Sequence, residues 1–303
     1  MQSQLHYLAN PSQIQVIFNK ILVKVGELYE KYVPKSIRFR KNVHLQIQPD
    51  VILLSSYTWA LQQGCKSANA IYRAIRTNLF PESFPERSRF CRICQNLSQT
   101  IQLIRYYFVN SIVNECEFGI IDSFPCALCK PIRNCRAKLL ESVANIGFNA
   151  TKQIHYYGIK FSVVVGNNGF PINYVVTPAS IHDNQIAYEL LTSSPFSIVY
   201  ADKGYVDQPL KEKLLMCGIK LITQLRENMS NYSKFENYKI WRLRKPIETV
   251  FSSLEQFGIE DLRCRNLYAL KFKVEAILLT YSLLLHQSQT ENGFSLKYSL
   301  AYA

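Results

Sequence analysis

Hydrophobic positions follow two rhythms along this chain, and the change comes near residue 113. Before it, apolar residues recur at helical spacing, and residues 51–61, 67–79 and 88–108 each predict a helix. The last two open on a serine able to cap a first turn, and Pro81-Glu82-Ser83-Phe84-Pro85 marks a loop between them. After residue 113 short apolar runs take over and predict strands at 117–122, 157–165 and 170–176. Gly166-Asn167-Asn168-Gly169 joins the second and third as a hairpin, because Asn and Gly accept positive φ, so the three form an antiparallel meander. A helix at 183–191, a strand at 197–202, a helix at 207–216 and a strand at 219–224 then alternate as parallel βα units do. The fold class this predicts is α/β, a mixed sheet flanked by helices with a helical N-terminal region. Ile247, Val250, Phe251, Leu254 and Phe257 give a further helix one buried face, with its head near Pro246. The apolar run 276–285 is well short of the roughly 20 residues that span a bilayer and reads as a core helix.

Two of these strands end in a carboxylate. Asp122 closes Phe118-Gly119-Ile120-Ile121, and Asp202 closes Ile198-Val199-Tyr200-Ala201. Ligands of open α/β sheets gather at the carboxyl ends of strands, so neighbouring strands bring such side chains together. Glu248 stands about 100° round the helix from Ile247, at the border of the buried face, placed to look back at the strand ends. Like charges in one cleft need protons or cations, and hard divalent ions prefer oxygen ligands. Metal-assisted phosphoryl transfer is the simplest chemistry for such a cluster. Taken singly, Asp122 could cap its loop, Asp202 could open the Lys203-Gly204 turn, and Glu248 could complement a helix N-terminus. Asp183 reads as a helix cap rather than a fourth ligand, and His155 and His182 as structural or solvated.

Composition points to a polyanionic partner. The 303 residues are 48% hydrophobic, ample for a core, and carry a formal net charge of +13, which DNA, RNA or an anionic membrane could each satisfy. The first residues lack the features of a signal peptide, so a cytoplasmic, thiol-reducing, nucleoid-associated location is expected. Lys35, Arg38, Arg40, Lys41, Arg73, Arg76, Arg87, Arg89 and Arg92 make the N-terminal region basic, either as a solvated face or for DNA ends. Lys130, Arg133, Arg136 and Lys138 follow Asp122 and suit a solvated face or a backbone clamp, and Lys160 and Lys203 flank the same cleft. Most of the 19 Tyr and 17 Phe belong in the core, leaving a few to stack on an unpaired base. Among nine cysteines, Cys91-x-x-Cys94 and Cys126-x-x-Cys129 have the spacing of a four-cysteine zinc site, but ordinary thiols in a reducing cell are the preferred reading. The odd total argues against a disulfide framework.

Ile121-Asp122-Ser123-Phe124-Pro125, Tyr200-Ala201-Asp202-Lys203-Gly204-Tyr205 and Arg244-x-x-x-Glu248, in that order, resemble the three acidic motifs of DDE transposases of bacterial insertion sequences. Gly158-Ile159-Lys160-Phe161, Thr177-Pro178-x-x-x-His182-Asp183 and Ser88-Arg89-Phe90 are most similar to the insertion-sequence-982 group. The resemblance spans roughly residues 65 to 285 and implies an RNase H-like catalytic domain, expected at 113–290, after a helical DNA-binding region at 1–112 and before a tail at 291–303. It implies that Asp122, Asp202 and Glu248 are catalytic acids holding two Mg²⁺ ions, with Mn²⁺ as a substitute, for in-line attack on a phosphodiester. It also implies terminal inverted repeats and target DNA as partners, a homo-oligomer on DNA, no membrane, and Arg244 near the scissile phosphate. Two positions depart from the broader signature: its tyrosine is Trp241, and the lysine expected seven residues after the glutamate is Glu255. Two other readings stay open. One is a non-catalytic DNA-binding remnant of a transposase, the other a zinc-stabilised nucleic-acid-binding protein built on the cysteine pairs.

Overall fold

The computed structural model describes residues 11–149 and 152–291, so the extreme N-terminus and the expected tail after Glu291 lie outside the described residues. The chain divides into two compact units: residues up to Arg105 with Tyr268–Thr280, and Tyr106–Leu267 with the chain from Tyr281. Among the described residues no helix is long and apolar enough to cross a membrane.

The first unit is helical. It is drawn from α1 (Pro11–Tyr32), α2 (Lys35–Arg38), α3 (Asp50–Gln62), α4 (Ala68–Asn78), α5 (Arg87–Asn96) and the first part of α6 (Ser98–Asn110). Helix α3 is buried continuously from Leu53 to Leu61, which makes it the centre of this core, and Ile71, Ile75 and Phe90 pack in the same unit. Asp50, 4% exposed, is made tolerable there by Tyr29 Oη at 3.0 Å and Arg40 Nη2 at 2.8 Å. Ser67 caps α4 as expected, its side chain accepting from the Ala70 N–H at 3.1 Å. Ser88 does not cap: α5 starts at Arg87 after Glu86, which makes no side-chain cap bond. The single helix expected over 88–108 is two, parted at Leu97, where φ −84° and ψ 4° end α5. Asn96 and Ser98 on either side favour competing backbone bonds over helix propagation.

The second unit is built on one mixed sheet. Its strands are β1 (Gly119–Ala127), β2 (Asn145–Asn149), β3 (Ile154–Gly166), β4 (Pro171–Pro178), β5 (Ile198–Ala201) and β6 (Lys220–Thr223), in the order β2-β3-β1-β5-β6 with β4 also paired to β3. Its helices are α7 (Asp183–Thr192), α8 (Gln208–Met216), α9 (Lys234–Gln256) and the later part of α10 (Leu267–Glu291). The β1-β3-β4 meander is antiparallel and turns through Gly169 at φ 92°, while β1-β5-β6 run parallel. This is the α/β, RNase H-like arrangement expected, a mixed sheet with helices and a helical N-terminal region. Ile120, Val163, Val165, Val199, Leu214, Ile247, Val250 and Leu254 are fully buried in this unit. The apolar run 276–285 lies inside α10 and is buried throughout, as expected of a core helix.

Three departures from expectation shape the site. Strand β1 runs five residues past Asp122, because its antiparallel ladder with β3 continues to Ala127 although its parallel ladder with β5 stops at Ile121. The Leu128 N–H reaches Tyr157 O and the Asn167 N–H reaches Phe118 O, so even-numbered β1 residues bond β3. Pro125 therefore turns its missing N–H to the side where the ladder has already ended. Helix α9 begins at Lys234, capped by Ser233, rather than near Pro246, which sits inside it. An interior proline costs about 3 kcal/mol, and burying Ile247, Val250 and Leu254, each worth about 1.5–3 kcal/mol, offsets it. Strand β2 has no counterpart in the expected pattern; Asn145 ties it to Ser180 beyond β4 with bonds of 2.7 and 2.9 Å.

Candidate active site

Parallel register brings two carboxylates together. Ile121 and Ala201 are paired across β1 and β5, both buried, so the next residues, Asp122 within β1 where its pairing with β5 stops and Asp202 just after β5, turn to the opposite face side by side. Gln224 holds the equivalent position one strand further on, just after β6. All three converge on one side chain from α9. Arg244 places Nη2 2.7 Å from Asp122 Oδ2 and Nη1 3.4 Å from Asp202 Oδ1, with Nη1 also 3.1 Å from Gln224 Oε1. The arginine side chain is 9% exposed, while those of Asp122 and Asp202 are 26 and 40% exposed. Its Nε is buried without a hydrogen-bond partner.

One guanidinium thus answers two aspartates, which leaves a net negative charge if both are ionised. Burial pushes the Asp122 carboxyl up to about 6, against the opposing pull of Arg244 and of the Ser123 N–H that donates to its Oδ1 at 2.8 Å. Asp202 and Asp183 add smaller upward pushes. Asp183 does not cap α7: it is the first helical residue after His182, and its Oδ1 accepts from Ser123 Oγ at 2.8 Å and lies 3.1 Å from Lys160 Nζ. That lysine also donates to Ile181 O at 2.8 Å, so Lys160 braces the start of α7 against β3.

Glu248 is exposed on α9, one turn beyond Arg244, and is not among the bonding partners of Arg244 or the aspartates. Among the described residues, no three of His, Cys, Asp and Glu stand together closely enough to hold a metal. The fold therefore gathers Asp122, Asp202 and Arg244 and holds Glu248 apart from them. Two oxygen-only carboxylates with surplus negative charge fit a hard divalent cation, and such an ion would compete with Arg244 for them.

Of the cationic positions, Lys203 is exposed and lines a cleft of about 500 Å³ with Asp202, Gln224, Arg226, Tyr232 and Asn237. Lys130, Arg133, Arg136 and Lys138 are exposed on and around the 3₁₀ turn Pro131–Arg136. Asn134 pins that turn to β3, donating to His155 O at 2.9 Å and accepting from the Tyr157 N–H at 3.1 Å. The turn follows the far end of β1, about 16 Å along the strand from Asp122. The second cysteine pair points two ways: Cys126 is buried against Ile259 O at 3.5 Å, its thiol pushed up by burial, and Cys129 faces Asn134 Oδ1 at 3.7 Å.

Sequence reasoning missed Gln224, Asn134 and Asn237. Asn237 clamps the Leu225 backbone through both its side-chain atoms, at 2.9 and 2.8 Å, and so fixes the loop that carries Gln224. Polar residues just after a short strand were the available signal for Gln224; none marked the other two.

No curated protein matches this chain. The sequence model of a transposase DDE domain matches residues 113–267, just over half of the chain, spanning β1 through α9 with both aspartates, Arg244 and Glu248. This chain belongs to the DDE transposase family.

Proposed function

We propose that the protein is a DNA transposase of the insertion-sequence-982 group, which cuts the ends of its element and joins the freed 3′-hydroxyl to target DNA. The observation that carries this reading is the convergence of Asp122 and Asp202, from the point where the parallel strands β1 and β5 part, on the single cation of Arg244. Asp122 and Asp202 would hold the divalent ions, Mg²⁺ with Mn²⁺ as substitute, and Glu248 is the third acid. When bound, such ions activate the attacking oxygen and stabilise the leaving one in an in-line displacement at a phosphodiester. The chain's own residues do the rest. Arg244 offsets part of the aspartates' negative charge before DNA arrives, and its planar fork suits a phosphate afterwards. Lys203 meets the strand in the cleft beside Asp202. Lys130, Arg133, Arg136 and Lys138 hold backbone phosphates further along β1. Lys160, tied to Asp183, supports the site from beneath. The region 1–112 binds DNA, 113–290 carries the chemistry, and the protein works as a homo-oligomer on its terminal repeats, in the nucleoid.

A second reading, a DNA-binding remnant without catalysis, is favoured by one observation, the separation of Glu248 from the aspartates. Incubating the purified protein with Mg²⁺ and the DNA flanking its own gene separates the two. Strand cuts at the repeat ends support the transposase. Binding of those ends with no cut under any divalent ion supports the remnant.

A further inference from the structure

Three large rings stand in water on the first half of α9. Phe235, Tyr238 and Trp241 recur every third residue and are 65, 54 and 39% exposed. Residues three apart are neighbours on a helix surface, so the rings form one ridge, with the Tyr238 and Trp241 centroids 5.7 Å apart and their planes 30° from parallel. Lysines are set into the ridge: Lys239 Nζ lies 4.3 Å from the Phe235 centroid, and Lys245 Nζ lies 5.5 Å from the Trp241 centroid. Exposed apolar rings are unfavourable in water, and a run of them beside cations marks a binding face.

Charge selects the occupant. Residues 234–245 expose Lys234, Lys239, Arg242 and Lys245 against the single acid Glu236, which pairs with Lys239 at 3.0 Å, while Arg244 is buried against the aspartates. A second copy docked face to face would bring like charges together, whereas a polyanion would be drawn in. Position narrows it further. Asn237, on the same turn of α9 as the first two rings but turned to the Leu225 backbone, lines the cleft that holds Asp202 and Lys203, and Trp241 is the surface neighbour of Arg244 three residues on, about 4.5 Å of helix rise away. A strand lying at the aspartates can therefore continue along the ridge. Duplex DNA hides the faces of its bases and would offer the ridge only phosphates. Unpaired bases offer π-faces that stack on aromatic rings, while flexible lysines between the rings can turn to the backbone. The basic turn at Pro131–Arg136 makes the contrast: it exposes Arg133 and Arg136 with no aromatic residue among Pro131–Arg136, as a phosphate clamp requires.

We propose that Phe235, Tyr238 and Trp241 are a stacking surface for unpaired bases of the DNA strand that enters the Asp122–Asp202 cleft. This rests on the proposed action on DNA and adds which form of DNA the site engages: a strand opened at the element end.

The chain's two tryptophans make the test direct, because Trp59 is 2% exposed in the helical unit and Trp241 is the one a base can reach. The protein, in EDTA to prevent cutting, is titrated with a thymidine oligonucleotide and with a blunt duplex of equal length while tryptophan emission is followed. The single strand should quench emission and the duplex should not. Phe235→Ala and Tyr238→Ala should each weaken single-strand binding by about five- to 150-fold and leave duplex binding within about two-fold. Circular dichroism confirms that each variant is folded, and Trp241→Leu should remove the quench. Equal quenching by both forms, or equal loss of affinity for both, would overturn the stacking surface in favour of a plain electrostatic face. Variants that change only the oligomeric state would make the ridge a contact between copies and overturn it too. Cutting of element ends by the unmodified protein without a ring-dependent preference sinks this inference alone. Ring-dependent strand binding without cutting supports it and sinks the catalytic reading.

Discussion

Arg105 and Arg244 are both buried and both bond carboxylates, yet they end in opposite states. Arg105, in the helical unit, sets Nε 2.6 Å from Glu275 Oε2 and Nη2 3.4 Å from Oε1, with the two side chains 3 and 0% exposed. The guanidinium meets a single carboxylate group of opposite charge through these two bonds, and both side chains are sealed from water. Arg244, in the sheet unit, is divided between Asp122 and Asp202, which are far more open, and its Nε is unsatisfied. One cation there faces two anions. A sealed pair contributes to a structure and little else, whereas an open site with surplus negative charge is poised to take a further cation.

The largest expected effect breaks the sealed pair. Arg105→Leu or Glu275→Leu leaves its partner charged and buried, and should cost about 3–5 kcal/mol in urea unfolding. Replacing both together should recover most of that loss, because an apolar pair of similar volume needs no counter-ion. Asp202→Asn removes one anion from a cation that still has Asp122, so it should change stability by about 1 kcal/mol or less. Equal losses at the two sites would erase the distinction.

The open pair should also be sensitive to pH. The Asp122 carboxyl is raised to about 6 in the folded protein, chiefly by burial, so its contribution to stability is full below its unfolded value near 4 and is lost as pH rises through about 6. Water at this 26% exposed side chain moderates the effect. Melting between pH 5 and 7.5 should show the loss, Asp122→Asn should flatten it, and Mg²⁺ should raise the melting temperature more at pH 7.5 than at pH 5. A profile unchanged by Asp122→Asn would assign the titration elsewhere.

The two aspartates were legible in the sequence because each follows a short apolar run whose Ile120 and Ile121, or Val199 and Ala201, the sheet buries. Apolar runs report burial whatever their partners, so β5, β6, α7 and α8 were also placed to within a residue or so. Pairing carries no such mark. The ladder that extends β1 to Ala127 depends on β3, more than thirty residues away, and Asn-flanked β2 has no apolar run of its own. Local punctuation misleads in a similar way at Pro246, where a proline that usually starts a helix is carried inside one by the buried residues after it. The arginine's motif was visible through the family resemblance, but its triple partnership with Asp122, Asp202 and Gln224 exists only once β1, β5 and β6 are aligned.

A smaller effect separates exposed from engaged cations. Arg133→Ala with Arg136→Ala should reduce the slope of log affinity for DNA against log salt by about 2, because both are exposed and placed for phosphate. Lys160→Ala should leave that slope nearly unchanged, since its ammonium already serves Asp183 and Ile181.

The central claim is that Asp122 and Asp202 form one cation-binding catalytic pair, and its most direct test measures DNA-end cleavage and DNA-end binding together in the Asp202→Asn protein. The amide keeps the size of the side chain and removes the negative oxygen. Cleavage should fall by about a thousand-fold or more, while end binding persists or tightens as repulsion from phosphate declines. Cleavage close to that of the unmodified protein, with contaminating nuclease excluded, would contradict the account.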